Sequence, residues 1–135
     1  MLNLSANSLN IFLLSGESEK IHMAAMLASV AAVSDQSVNV FVSMEAVYSF
    51  VKDQTESSSV ALGKFAKTMS EKGAPDALEL FRQGKMLGSL CMRMCSMAMD
   101  IHDWDEEDLA EDLFDEPAGV AKFLLDAENG QMITI

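Results

Sequence analysis

Two short apolar runs flank one helical repeat near the start of the chain, and that pattern leaves few folds open. The first run, Leu9-Asn10-Ile11-Phe12-Leu13-Leu14, is stopped by Ser15-Gly16. It is continuously apolar rather than alternating, which suits a strand covered on both faces in a parallel sheet. Glu17-Ser18-Glu19 then opens a segment with apolar residues at Ile21, Met23, Ala24, Leu27, Ala28, Ala31 and Ala32. Spacings of three and four mark an amphipathic helix, and acids suit its positive N-terminal end. Ser34-Asp35-Gln36 breaks the pattern, and Val38-Asn39-Val40-Phe41-Val42, rich in β-branched residues and ended by Ser43, predicts a second strand. Strand, helix and strand within about 35 residues make a right-handed βαβ unit, hence an α/β fold with a mostly parallel sheet.

Downstream, 45–51 reads as a short helix. The polar stretch 52–73, with Glu56-Ser57-Ser58-Ser59, reads as a loop plus an exposed helix, a surface excursion rather than a functional lid. Ala74-Pro75-Asp76 starts another helix whose apolar face carries Leu78, Phe81 and Leu87, with stops on offer at Gly84 and Gly88. A helix over 117–128 and an edge or core strand over 131–135 close the chain. No internal linker divides it, so residues 1–135 are expected to form one domain.

Charge and composition narrow the function. Nine basic against 21 acidic residues give a net charge of −12, which repels phosphate and argues against nucleic-acid binding. An apolar share of 50% with 22% charged residues excludes a disordered tail. The longest apolar run, 23–33, falls short of the about 20 residues that a membrane helix needs. No basic residue precedes the first apolar stretch, and two cysteines make no disulfide framework; a cytoplasmic protein is expected. The ten acids within 100–116 do not make a calcium loop, because counting from Asp103 the sixth position is Asp108 and the twelfth is Phe114. They read as a solvated helix start, with a docking face for a basic partner as the alternative.

The most informative stretch is Gly88-Ser89-Leu90-Cys91-Met92-Arg93-Met94-Cys95-Ser96-Met97-Ala98-Met99-Asp100. Leu87, Leu90, Cys91, Met94, Ala98 and Ile101 fit a helical stripe, whereas Gly88 and the βα rhythm upstream favour a strand over Ser89–Met94 and a helix from near Ser96. In the strand reading Cys91 and Cys95 lie about 13 Å apart, beyond the about 7 Å between Cα atoms that a disulfide tolerates. Cys95 then falls where the strand ends and a helix begins. Ligands of open α/β sheets bind at such ends, and helical N–H groups there favour a thiolate. Cys91, in mid-strand, reads as core. Alternation turns Met92 and Met94 away from both thiols, so the five methionines nearby read as packing rather than as Cu(I) ligands. His22 and His102 read as surface or packing residues.

In order along the chain, the pieces resemble the DsrE/DsrF-like family of small sulfur-relay domains. The resemblance rests on Ile11-Phe12-Leu13-Leu14-Ser15-Gly16, Val38-Asn39-Val40-Phe41-Val42, Gly73-Ala74-Pro75-Asp76, Glu107-Asp108-Leu109 and Ala118-Gly119-Val120-Ala121-Lys122-Phe123-Leu124. Its most specific part is Cys95-Ser96-Met97-Ala98-Met99-Asp100. It implies a three-layer, flavodoxin-like fold with about five strands, and sulfur held on Cys95 as a persulfide or thiosulfonate and passed between protein partners. The backbone N–H groups of Ser96 and Met97 would stabilise the sulfur anion, Ser15 and Gly16 would lie near the same rim, and no cofactor is expected. A trimeric or hexameric homo-oligomer is also implied. Ser34-Asp35, Ser43-Met44-Glu45 and His102-Asp103-Trp104 depart from the pattern of many relatives.

Overall fold

A computed structural model describes residues 8–52 and 63–135. Four strands, β1 (Leu9–Leu13), β2 (Ser37–Val42), β3 (Ser89–Met94) and β4 (Gln131–Thr134), form one sheet in the order β3-β2-β1-β4. All three pairings are parallel, with Ile11 level with Val40 and Ile133, and Val40 level with Met92. The βαβ unit read from the sequence is present as β1, α1 (Ser18–Val33) and β2.

The two faces of the sheet are dressed differently. Leu9, Ile11 and Leu13, with Val38, Val40, Val42, Leu90, Met92 and Met94, project to one side and are all buried. There α1 lies beside α3 (Ala77–Leu87), its buried alanines 24, 25, 28 and 32 allowing a close approach. A Cβ on Gly84 would stand only 3.0 Å from Ser29 Cα and 3.2 Å from Leu90 Cδ2, which is why α3 runs through this glycine rather than stopping at it. The opposite side carries Asn10, Phe12, Asn39, Phe41, Cys91 and Arg93. Phe123 of the short α5 (Val120–Asp126) caps it, with ring centroids 5.0 Å from Phe12 and 5.2 Å from Phe41. Buried Asn10 is satisfied there: its Oδ1 accepts from Asn39 Nδ2 at 2.9 Å, and its Nδ2 donates to the Gln131 carbonyl at 3.0 Å. Helices therefore lie on both faces, the three-layer α/β arrangement.

Between α3 and β3 there is a single residue, Gly88, which is extended at φ −148°. Its missing side chain is what allows the turn: a Cβ there would fall 2.2 Å from the Ala32 carbonyl oxygen at the end of α1.

Several expectations need correction. The sheet has four strands among the described residues, not about five. The place beside β3 is taken by 115–118, which makes only the isolated bridge Cys95–Ala118. Pro117 in that segment has no N–H to offer, and the Met92 N–H bonds to the Asp115 side chain instead of a strand carbonyl. The segment after β2 is a 3₁₀ helix, Met44–Phe50, entered through Met44 at φ 52°. The acidic stretch is largely irregular and holds one 3₁₀ turn, Glu106–Asp108, capped by Asp105. The last helix is shorter than the expected 117–128. Of the polar stretch 52–73, the exposed helix is present as α2 (Lys64–Glu71), while the serine run lies outside the described residues.

Candidate functional site

The strand reading of the cysteine segment holds: β3 ends at Met94, and α4 (Ser96–His102) follows at once. Cys95 is the junction, with φ −58° and ψ 121°, and it caps the N-terminus of α4. Its N–H donates to the Val42 carbonyl at 2.9 Å, continuing the β2–β3 ladder, and its carbonyl accepts from the Met99 N–H at 3.2 Å. One residue thus finishes the sheet and begins the helix. The side chain is enclosed, 4% exposed, beside Ala98 and Met99 in the core.

The backbone around it differs from expectation in one respect. The Ser96 N–H donates to the Ala118 carbonyl at 3.0 Å, and Ala118 in turn donates to Met94 at 3.1 Å. Ser96 is therefore committed to the edge segment and is not free to stabilise a sulfur anion. Met97 is the next N–H of the first helical turn, where no carbonyl one turn back is available. Its side chain is 53% exposed beside the junction. Ser15 and Gly16 do lie at the same end of the sheet, but β2 stands between β1 and β3, a separation of about 10 Å. Gly16 abuts Glu45, whose Cγ would be 2.7 Å from a Cβ at that position.

Cys91 is not the core residue expected. It is half-buried on the α5 side of the sheet, where the short α5 leaves the row Asn39–Cys91 partly open. The Asp115 carboxylate is held at the neighbouring residue by the Met92 N–H and by Lys85. Burial, then the charge of Asp115, pushes the Cys91 thiol pKa up; Arg93 and Lys85 act in the opposite direction. Burial alone would raise Asp115 as well, but the Lys85 hydrogen bond and the Met92 N–H at 2.9 Å outweigh it and hold this carboxyl below its ordinary range. Met92 and Met94 point to the α3 side, away from the Cys91 thiol, as alternation requires.

Two features escaped the sequence reading. Asp115 was hidden in an acidic run, and only the fold reveals that its partners are 23 and 30 residues away. The second is an aromatic group at the far end of α4. His102 Nε2 lies 3.0 Å from Tyr48 Oη, and Trp104 stacks on the imidazole at 4.2 Å. These contacts fasten α4 to the 3₁₀ helix after β2. A cleft of about 530 Å³ opens nearby between Lys52, Lys85 and residues 106–115, and neither cysteine lines it. No cluster of three His, Cys, Asp or Glu suited to a metal ion occurs among the described residues. Nor, among them, is any helix long and apolar enough to cross a membrane.

Residues 53–134 match the model of the DsrE/DsrF/DrsH-like family, which is more than half of the chain. The chain belongs to this family. The match takes in both cysteines, α4 and the Ala118 edge; β1, α1 and β2 precede it, yet β2 and β1 are the middle strands of the same DsrE-like sheet. No curated protein matches the chain.

Proposed function

We propose that this protein is an intracellular sulfur carrier of the DsrE-like kind, acting as one domain over residues 1–135, with Cys95 as the sulfur-bearing residue. The observation that carries the reading is the position of Cys95. It stands between the last residue of β3 and the first of α4, at the carboxyl end of a parallel sheet where ligands of such folds bind, and it lies within the family match.

In the exchange, the Cys95 thiolate attacks the sulfane sulfur of thiosulfate or of a donor persulfide. A new S–S bond forms, the donor's S–S bond breaks, and sulfite or the donor thiolate leaves with the electron pair. The outer sulfur of the resulting persulfide anion faces the Met97 N–H. A thiolate on an acceptor protein then takes that sulfur and Cys95 leaves as thiolate, so no cofactor is required. Mass spectrometry after exposure to thiosulfate or glutathione persulfide tests this. Gains of one sulfur atom, removable by reductant and mapped to Cys95, are expected. Cys95→Ser should abolish them, and loading equal to wild type in that variant overturns the reading.

The burial of Cys95 favours a second reading, a non-catalytic subunit whose work is assembly. Native alkylation separates the two: a Cys95 that reacts with neither iodoacetamide nor donor supports the scaffold. Both readings include a homo-oligomer, a trimer or hexamer. The outer face of α1 supports it, because Met23, Met26, Leu27, Val30 and Val33 are exposed opposite the buried alanines, and 21–34 carries no Asp, Glu, Lys or Arg. A helix apolar on both sides is normally covered on both. Light scattering should give a smaller particle for Val30→Glu but not for Val30→Ala; an unchanged particle places the interface elsewhere.

A further inference from the structure

Cys95 is almost fully enclosed, so a thiol that takes sulfur from it must be brought to the junction by the surface around it. That surface carries a small apolar patch. Met97 and Ile101 stand one turn apart on α4, and both are more than half exposed. Met44, also more than half exposed, opens the 3₁₀ helix two residues after Val42, whose carbonyl accepts the Cys95 N–H. The contact between Tyr48 and His102 fastens the two helices together, which holds all three side chains at one end of the sheet.

Carboxylates lie among these side chains. Glu45 follows Met44 and its stem abuts Gly16, Asp100 is three residues from Met97 on α4, and Asp103 ends that helix. All three are exposed, and none is ion-paired among the described residues. Between Arg93 and Lys122 the sequence has no Lys or Arg to neutralise them.

Size and sign decide what fits. Three partly exposed apolar side chains offer a few hundred Å², well below the about 1,200–2,000 Å² of a stable interface, so the contact is transient. A second copy of the chain would set carboxylates against carboxylates, which like-charge repulsion disfavours. An apolar side chain flanked by lysines or arginines satisfies both features at once. We propose that this patch receives a cationic, apolar-tipped segment that carries the thiol of the sulfur-accepting protein. The docking surface rests on α4 and its neighbours; the accepting thiol rests on the carrier reading above. In the transfer the segment's thiolate bonds to the outer sulfur, the S–S bond at Cys95 breaks, and Cys95 leaves with the electron pair.

Binding is measured first, without sulfur, by the fluorescence anisotropy of a dye-labelled peptide in which lysines flank Leu-Ser-Leu. Wild type should bind it in dilute salt and release it at about 1 M, where charges are screened beyond about 3 Å. Glu45→Lys with Asp100→Lys should weaken binding about tenfold, and Glu45→Gln with Asp100→Asn should weaken it less. Asp35→Lys with Glu128→Lys makes the same change in net charge at the opposite end of the sheet, just before β2 and β4, and should leave affinity within about twofold. Ile101→Ser should weaken the leucine peptide but not its all-serine counterpart. No binding by wild type overturns the proposal. So do equal losses from the near and far charge pairs, or a leucine peptide indifferent to Ile101→Ser. Transfer is then measured from protein loaded with labelled sulfur to the Leu-Cys-Leu peptide. The near pair should slow it about tenfold; an unchanged rate despite weakened binding overturns the accepting role. If wild type takes no sulfur, the carrier reading falls, and the anisotropy still decides whether the patch binds such a segment.

Discussion

Replacing Gly88 with alanine tests the junction that aims β3. The added Cβ would sit 2.2 Å from the Ala32 carbonyl oxygen, 2.4 Å from its carbonyl carbon and 3.0 Å from its Cβ. Ordinary contacts begin near 3.4 Å, so one side must move by about 1 Å. The obstacle is backbone at the end of α1, and no rotamer change relieves it. Overpacking a filled interior costs about 1–3 kcal/mol, and a backbone obstacle places this substitution at or above the upper end, about 3 kcal/mol. Two other glycines calibrate the measurement. Gly119→Ala meets only Ser96 Oγ at 3.7 Å and should be near neutral, while Gly73→Ala meets nothing but has φ +71°, a strain of about 1–2 kcal/mol. Urea unfolding should rank the midpoints Gly119→Ala, Gly73→Ala, Gly88→Ala from highest to lowest, with a constant slope. Ala32→Gly removes a Cβ but not the carbonyl, so it should not restore Gly88→Ala. A Gly88→Ala protein within about 0.5 kcal/mol of wild type, or full rescue by Ala32→Gly, would refute the reasoning.

Phe123→Ala should cost about 3–5 kcal/mol, read as a fall in thermal midpoint, because this ring joins α5 to Phe12 and Phe41; Phe123→Leu should recover most of it. Tyr48→Phe should cost about 1 kcal/mol, since it removes the hydroxyl bonded to His102 and keeps the ring beside Trp104. The folded-state pKa of Asp115 is lowered, so its contribution is present above the ordinary carboxylate range and lost as pH falls through the folded value. The stability difference between wild type and Asp115→Asn should therefore shrink below about pH 4; a difference that is flat from pH 7 down to pH 3 contradicts the sign.

What the sequence made legible followed from local periodicity. The run 9–14, the alanine-rich helix and Val38–Val42 each carry their pattern within a few residues, and all three elements are present. Gly88 also announced β3 correctly, because only a residue without a side chain turns so close to Ala32. Residues whose setting depends on distant segments were not legible. Cys91 looked like core from its mid-strand place, but exposure there depends on how much of the sheet α5 covers. Ser96 looked available until Ala118, 22 residues on, supplied its acceptor. The acidic run contained both capping residues such as Asp105 and the pinned Asp115, and nothing local distinguishes them.

The strand order also bears on how the chain is made. β1 is an inner strand, yet one of its neighbours, β4, begins at residue 131, so Leu9 waits for Gln131. At translation speeds of about 5–20 residues per second, that edge of β1 goes without its permanent neighbour for roughly 6–24 seconds. During that interval the Asn10 side-chain amide lacks its Gln131 acceptor, and the Ser8 and Phe12 carbonyls and the Leu14 N–H present an open edge to any extended segment nearby. For each newly made chain it is β4, made about 120 residues after β1, that closes this vulnerable edge.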